Sequence, residues 1–397
     1  MSDDHRNTDS RGADPAPRAP STRRGFLAGA GATAAAVALG TREALAQSPQ
    51  GGGPNAGVGL GADRRRLGQL EVSALGLGVQ NVHRTFHTIV PERADMHALI
   101  RTAFDEGVTF FDCAEVYGPF ECERILGEAM AGFRDEIQIT TKFGFDVNPE
   151  TGVWGGGVDS RPESIRRAVE GSLRRLGTDR VDLLYQHRVD PEVPIEDVAG
   201  TVGDLVREGK ALHWGMSEMG IETLRRAHAE LPVAAVQNEY SMLYRGAEAD
   251  VIPVCEELGI GFVPFAPLGY GFLTGAIDMG TSFAPADFRA LTSRMDPENR
   301  EANLAVVDLA RTWAERKETT PARIALAWLL AQGPSFVPIP GTTNMAHLRD
   351  NLGGAGVSFT DDELAELTAA LDGIEVEGER APDLVASWSY VEAPPAS

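Results

Sequence analysis

At five places along the 397-residue chain, polar and mostly titratable side chains follow directly on apolar runs. Asp112 ends VTFFD, with Glu115 and Tyr117 just beyond it. Thr141 and Lys142 end IQITTK, and Gln186, His187 and Arg188 follow VDLLY. Ser217 and Glu218 close ALHWGMSE, and Gln237 to Tyr240 close AAVQNEY. Polar groups at the ends of apolar strands carry a desolvation cost unless they are partnered. Brought to one rim, carboxyl, phenol, ammonium and imidazole groups would pair with one another or hold a polar ligand. Metal chemistry is disfavoured: a catalytic site needs clustered His and acid ligands, and only His187 stands at a strand end. Cys113, Cys122 and Cys255 lack zinc-site spacing and read as packing residues. Glu115 reads as a turn cap or rim residue, not a catalytic one.

The elements that must position these residues repeat regularly. Apolar runs at 73–79, 108–114, 137–143, 181–187, 211–217, 234–240, 261–267 and 335–341 alternate with stretches whose apolar residues recur at three- and four-residue steps. Pro162 suits a first helical turn and Gly177 its C-terminal stop, whereas the WGGGVDSR just before reads as irregular. Strands apolar on both faces suit a parallel sheet covered by helices. The rhythm predicts an α/β fold, a (β/α)8 TIM barrel over 65–397. RRRLGQLEVSALGLG would form a hairpin floor, and helices would close the C-terminus. Reactive groups then collect at the C-terminal ends of the strands. No GxGxxG follows an early strand, which weighs against an open dinucleotide-binding sheet.

Before the barrel, residues 1–46 read as a polar n-region followed by a signal peptide. Arg23 and Arg24 precede a mildly apolar Ala/Gly run, and Ala44 to Gln47 offer small residues for cleavage. The segment resembles a twin-arginine (Tat) signal, with 47–64 a flexible Gly/Pro linker. Periplasmic or extracytoplasmic location through the Tat export machinery is therefore expected, and cytoplasmic location if the signal is not used. The run is too short to span a membrane. The formal net charge of −22 argues against nucleic acid or an anionic membrane as partner. No heptad or apolar stripe indicates an oligomeric state.

In order along the chain, FFDCAEVYG, ITTKFG, LLYQHRVD, WGMSE, VQNEYS and VPIPGTTNMAHLRDN resemble the aldo-keto reductase family, covering roughly 65–370. The resemblance implies a catalytic group of Asp112, Tyr117, Lys142 and His187. It implies reduction of an aldehyde or ketone to an alcohol, with hydride from NADPH and a proton from Tyr117. A free tyrosine has a pKa near 10; a lysine ammonium beside it would lower that value. Asp112 would hold Lys142, and His187 would orient the carbonyl oxygen. The alternative is a weakly catalytic, cofactor-binding barrel that works through partners, resembling potassium-channel β subunits.

The same resemblance implies cofactor contacts. Ser217 and Gln237 would hold the nicotinamide carboxamide, with Tyr240 nearby and Phe265 stacking on the ring. Pro267, Leu268, Gly269 and Gly271 would approach the pyrophosphate. Gly341, Thr342, Thr343 and His347 would face the 2′-phosphate, and Asp350 and Asn351 the adenine. Gly341 and His347 stand where many relatives carry a lysine or arginine. The phosphate would then rest on Thr342, Thr343, Asn344 and Arg349, and NADH is the alternative cofactor. His83 to His87, Trp154 and Tyr270 to Phe272 are expected to wall the pocket for a medium-sized small-molecule carbonyl substrate, His87, Trp154 and Tyr270 most directly.

Overall fold

The structure is a computed structural model that describes Leu60 and residues 63–83 and 89–396. The twin-arginine segment, the Ala44–Gln47 site, nearly all of the 47–64 linker and His87 lie outside the described residues.

Strand β1 (Arg64–Leu67) turns at Gly68, whose φ of 59° suits a residue without Cβ, into antiparallel β2 (Leu70–Ser73). Leu67, Leu70 and Val72 pack against Phe110, Leu183, Tyr185, Val263 and Val337 from the barrel strands. A Cβ on Gly261 would stand 2.4 Å from the Leu67 side chain. The hairpin is thus the predicted floor, plugging the barrel with apolar side chains.

A parallel sheet follows: β3 (Leu77–Gly78), β4 (Phe110–Asp112), β5 (Gln138–Phe143), β8 (Val181–Gln186), β9 (Ala211–Ser217), β10 (Ala235–Glu239) and β11 (Gly261–Phe265). Between β5 and β8 the chain inserts an antiparallel hairpin, β6 (Phe145–Val147) and β7 (Trp154–Val158). The glycine-rich WGGGV, read from sequence as irregular, is therefore a strand. Its backbone pairing supplies the order that side chains could not.

The eighth expected strand, 335–341, closes the barrel without forming a full ladder. Val337 N donates to Phe262 O at 2.9 Å and Ile339 N to Pro264 O at 3.2 Å. On the other side, Gly76 N donates to Pro338 O and Gly78 N to Pro340 O. Pro338 and Pro340 have no N–H to return toward β3, so this seam is bonded in one direction only. Glycines bring it close; a Cβ on Gly341 would lie 2.7 Å from Gly78 O.

The covering helices are α1 (Arg93–Asp105), α2 (Glu121–Ala129), α3 (Pro162–Leu176), α4 (Ile195–Arg207), α5 (Ile221–Glu230), α6 (Val251–Leu258), α7 (Pro297–Arg316) and α8 (Pro321–Ala331). Pro162 opens α3, and Gly177 ends it at φ 65°, as predicted. Helices α9 (Met345–Leu352), α10 (Asp361–Asp372) and α11 (Asp383–Ala386) complete the C-terminus. The larger core lies between sheet and helices and includes Phe111, Leu184, Met216 and Val236. Alternation along each strand then turns Phe110, Asp112, Lys142, Tyr185, Ser217, Gln237 and Phe265 inward.

Candidate functional site

The period-two alternation that buries Phe111 outward leaves Asp112 facing the barrel axis at the end of β4. Lys142, two residues from Thr140 on β5, points the same way. Lys142 Nζ donates to Asp112 Oδ1 at 2.6 Å, to Cys113 O at 2.8 Å and to the Tyr117 hydroxyl at 3.3 Å. Gln237 Nε2 and Thr140 Oγ1 donate to Asp112 Oδ2 at 2.7 and 3.1 Å. His187, just past β8, meets the Tyr117 ring edge-on at 5.8 Å between centroids. The four residues singled out from the sequence therefore meet in one place.

Electrostatics assigns the states of Lys142, His187 and Tyr117. Burial lowers the Lys142 pKa, but Asp112 and Tyr117 together outweigh it and the net shift is upward, so the lysine stays an ammonium. Burial pushes the His187 pKa well below its ordinary value, and the Lys142 and Arg188 charges push the same way. The imidazole is neutral. For Tyr117 the outcome differs from the expectation that lysine would lower its pKa. Burial raises it more than Lys142 lowers it, so the phenol keeps its proton.

An aromatic wall flanks this group. Phe145 lies edge-on to His187 at 4.8 Å, to Trp154 at 5.8 Å and to Trp388 at 6.0 Å, and Trp154 meets Trp388 at 5.2 Å. Trp154 was expected here; Phe145 and Trp388 were not. Trp388 arrives on the C-terminal tail, where no strand rhythm points to it. The tail is anchored on both sides of it. Arg380 binds Glu218 and Glu239, while Glu392 accepts from Thr223 N at 2.7 Å and Val391 O accepts from Gly220 N at 2.9 Å. His83 packs against Gly118. Tyr270 is half-buried and stacks obliquely on Phe288, and Phe272 belongs to the sheet–helix core.

Residues expected to hold a cofactor lie at strand ends and in the loops beyond them. Ser217 Oγ accepts from Arg188 Nη1 at 3.1 Å, leaving its own hydroxyl hydrogen for a ligand. Phe265 ends β11 half-buried, packed against the barrel interior. The turn through Pro267 and Leu268 is tight, with Gly269 at φ 56° and Gly271 at φ 94°. Where Gly271 would carry a side chain the space is open, with only Ile277 at 4.0 Å. This is room for a ligand to approach the backbone. Thr342 and Thr343 lead into α9, where Asn344 Oδ1 accepts from Ala346 N and His347 N. Gly341 and His347 are exposed near that helix start, and Asn351 is buried near the helix end.

Other expectations are corrected. Tyr240 turns outward, because alternation sends Glu239 inward and the next residue away. It packs on Phe262, Trp328 and Phe336, and its hydroxyl donates to Glu248 at 2.7 Å. Asp350 pairs with Arg323 at 2.9 Å and accepts from Thr320, tying α9 to α8. Arg349 reaches Glu106 at 2.8 Å instead of the phosphate side. Gln237 has its amide nitrogen on Asp112. Glu115 lies behind the rim near Glu123 and Arg175, and its pKa is pushed up to about 8, by burial first and then by Glu123. A separate cavity of about 570 Å³, lined by Tyr244, Arg245, Arg294 and Arg380 among others, contains none of the expected catalytic residues. Among the described residues no His, Cys, Asp and Glu cluster could hold a metal ion.

Comparison with known proteins bears on this arrangement. The sequence model of the Aldo/keto reductase family matches residues 74–372. A "Probable aldo-keto reductase 1" from Glycine max is 39% identical over 328 residues, covering 82% of this chain and 93% of that protein. A glycerol dehydrogenase from Gluconobacter oxydans superposes with a TM-score of 0.72 at 27% identity, covering 80% of this chain and 97% of the other. A thermostable aldo-keto reductase bound to the inhibitor epalrestat gives 0.61 at 26% identity, over 77% of this chain and 99% of the other. The chain belongs to the aldo/keto reductase family, an oxidoreductase family.

Proposed function

We propose that the protein reduces aldehydes or ketones to alcohols, with NADPH as hydride donor and Tyr117 as proton donor. The observation that carries this reading is the Lys142 ammonium, fully buried and bridging Asp112 and the Tyr117 hydroxyl. When bound, NADPH supplies hydride to the carbonyl carbon. The protein's residues manage the oxygen. His187, neutral, donates an N–H that orients it without adding charge. Tyr117 keeps its proton until the oxygen becomes basic, then transfers it, and Lys142 stabilises the phenolate left behind. Asp112 keeps Lys142 charged and aimed. Ser217, Phe265, the turn through Gly269 and Gly271, and the Thr342–Asn344 approach to α9 would hold the cofactor. No lysine or arginine occurs between Gly341 and Leu348, so the 2′-phosphate would rest on hydroxyls, amides and His347.

The test is NADPH consumption with 4-nitrobenzaldehyde. Tyr117→Phe should lose at least about 100-fold in kcat, the scale of a general acid, while cofactor still quenches tryptophan fluorescence. Wild-type turnover by Tyr117→Phe would disprove the proton-donor role. Running NADPH and NADH side by side decides the cofactor; a clear NADH preference rejects NADPH.

A further inference from the structure

Among the described residues, four buried or half-buried cations gather beside the strand ends, and three have matching anions. Lys142 pairs with Asp112 at 2.6 Å, Arg294 with Glu239 at 2.9 Å, and Arg380 with Glu218 and Glu239. The fourth, Arg188, is only 7% exposed, yet among the described residues no carboxylate lies within ion-pair distance of it. Its Nη1 donates to His187 O at 2.5 Å and to Ser217 Oγ at 3.1 Å. Its Nε is buried and has no hydrogen-bond partner. Glu218 is its strongest electrostatic partner, but that carboxylate is hydrogen-bonded by Arg380 and the Glu239 N–H, not by Arg188. Residues 84–88, outside the described chain, include no acid.

A guanidinium does not shed its charge near neutral pH, and burying one without an anion is costly. Its planar fork of N–H groups matches the two oxygens of a carboxylate. The Tyr117 and Tyr270 phenols are further electrostatic neighbours of Arg188, and His187 precedes it in the chain. The unmatched charge therefore borders the place where a carbonyl would be reduced, and Phe145, from the wall with Trp154 and Trp388, packs on the neighbouring His187.

We propose that Arg188 is a specificity-determining residue that binds a carboxylate on the substrate, so that the preferred substrates are aldehydes or ketones that also carry a carboxylate. This rests on the carbonyl-reductase reading above. The aromatic wall receives the apolar body, and the Arg188 fork selects the acid. The chain's net charge of −22 does not oppose this at short range, since charges beyond about 8 Å are screened at physiological salt.

The experiment compares 3- and 4-carboxybenzaldehyde with their methyl esters, using NADPH. A charge-assisted hydrogen bond is strong enough to favour the better acid about 10- to 100-fold in kcat/KM over its ester. In Arg188→Gln that ratio should fall to near one, and Arg188→Lys should retain part of it. Using the ratio within each variant cancels any general loss of activity. A wild-type ratio of one or less overturns the proposal, as does a ratio unchanged in Arg188→Gln, including the case where that variant only weakens NADPH binding. A second arm needs no turnover: benzoate, but not benzamide, should quench the fluorescence of wild type and not of Arg188→Gln. If neither aldehyde nor ester is reduced by wild type, the reductase reading fails, while benzoate binding still judges Arg188. Equal quenching by benzoate and benzamide, or in both proteins, overturns the carboxylate site.

Discussion

Asp112→Asn perturbs the centre of the site with the least change in shape. The Lys142 side chain is 0% exposed and that of Asp112 3%, so solvent cannot take over the lost interaction. Asp112 Oδ1 accepts from Lys142, and Oδ2 from Gln237 and Thr140. An asparagine offers one acceptor oxygen and no charge, so it either faces the ammonium with an NH2 or turns one toward Gln237. Removing one partner of a buried ion pair costs about 3–5 kcal/mol. At about 2 °C per kcal/mol, the lower end of the scale for large domains, the melting temperature should fall roughly 6–10 °C. Lys142 has a pKa raised in the folded state, so its stabilisation is complete below the unfolded value of about 10.4 and is lost only as pH rises through the folded value. In Asp112→Asn the burial of Lys142 loses its main counterweight and lowers the lysine pKa, so the deficit should be no larger at pH 9 than at pH 6. Scanning calorimetry on wild type, Asp112→Asn, Lys142→Met and the double variant forms a cycle. The double variant buries no net charge and should recover at least half of the loss. An Asp112→Asn protein melting within about 2 °C of wild type, or strictly additive single losses, would refute the buried-pair argument.

Further expectations follow from other groups. Glu115, its pKa pushed up to about 8, is protonated in the folded protein where the unfolded chain is ionised. Its stabilisation is complete below about pH 4.5 and is lost as pH rises through 8. Glu115→Gln should thus raise the melting temperature at pH 8.5 relative to wild type and change it little at pH 5; equal shifts at both would reject the buried-acid assignment. Trp388→Ala removes one ring of the aromatic wall and should raise KM for aromatic aldehydes about 5- to 50-fold with kcat changed less, as expected for loss of apolar contact. An unchanged KM for benzaldehyde would place the substrate elsewhere.

Much of this site could be read from the sequence because strand alternation is a strong rule. Asp112, Lys142 and Ser217 stand at inward positions at the ends of their strands, and His187 follows directly on its own, so type and place coincide. Tyr240, set near the nicotinamide by family resemblance alone, falls at an outward position under that rule. The failures at Asp350 and Arg349 have another origin: both lie on a helix, and Arg323 and Glu106, their partners, come from distant elements. Trp388 was invisible for a similar reason, since Arg380 and Glu392 fix the tail through contacts more than 150 residues away in sequence. The WGGGV strand carries no apolar pattern at all; its order resides in backbone pairing.

The one-way bonding at the barrel seam has a mechanical consequence. Across most of the wall, neighbouring strands exchange amides in both directions, but from Gly76 to Gly341 only β3 donates. That line is where the staves are least tightly hooped, and the Gly76 and Gly78 amides should exchange with deuterium sooner than those of Leu183 or Val236. Thr342 and Thr343 begin immediately beyond this line, while Ser217 stands on the far side of the mouth. A molecule gripped at both places would act as a missing hoop, and slowed exchange at Gly76 and Gly78 would report its arrival before any chemistry takes place.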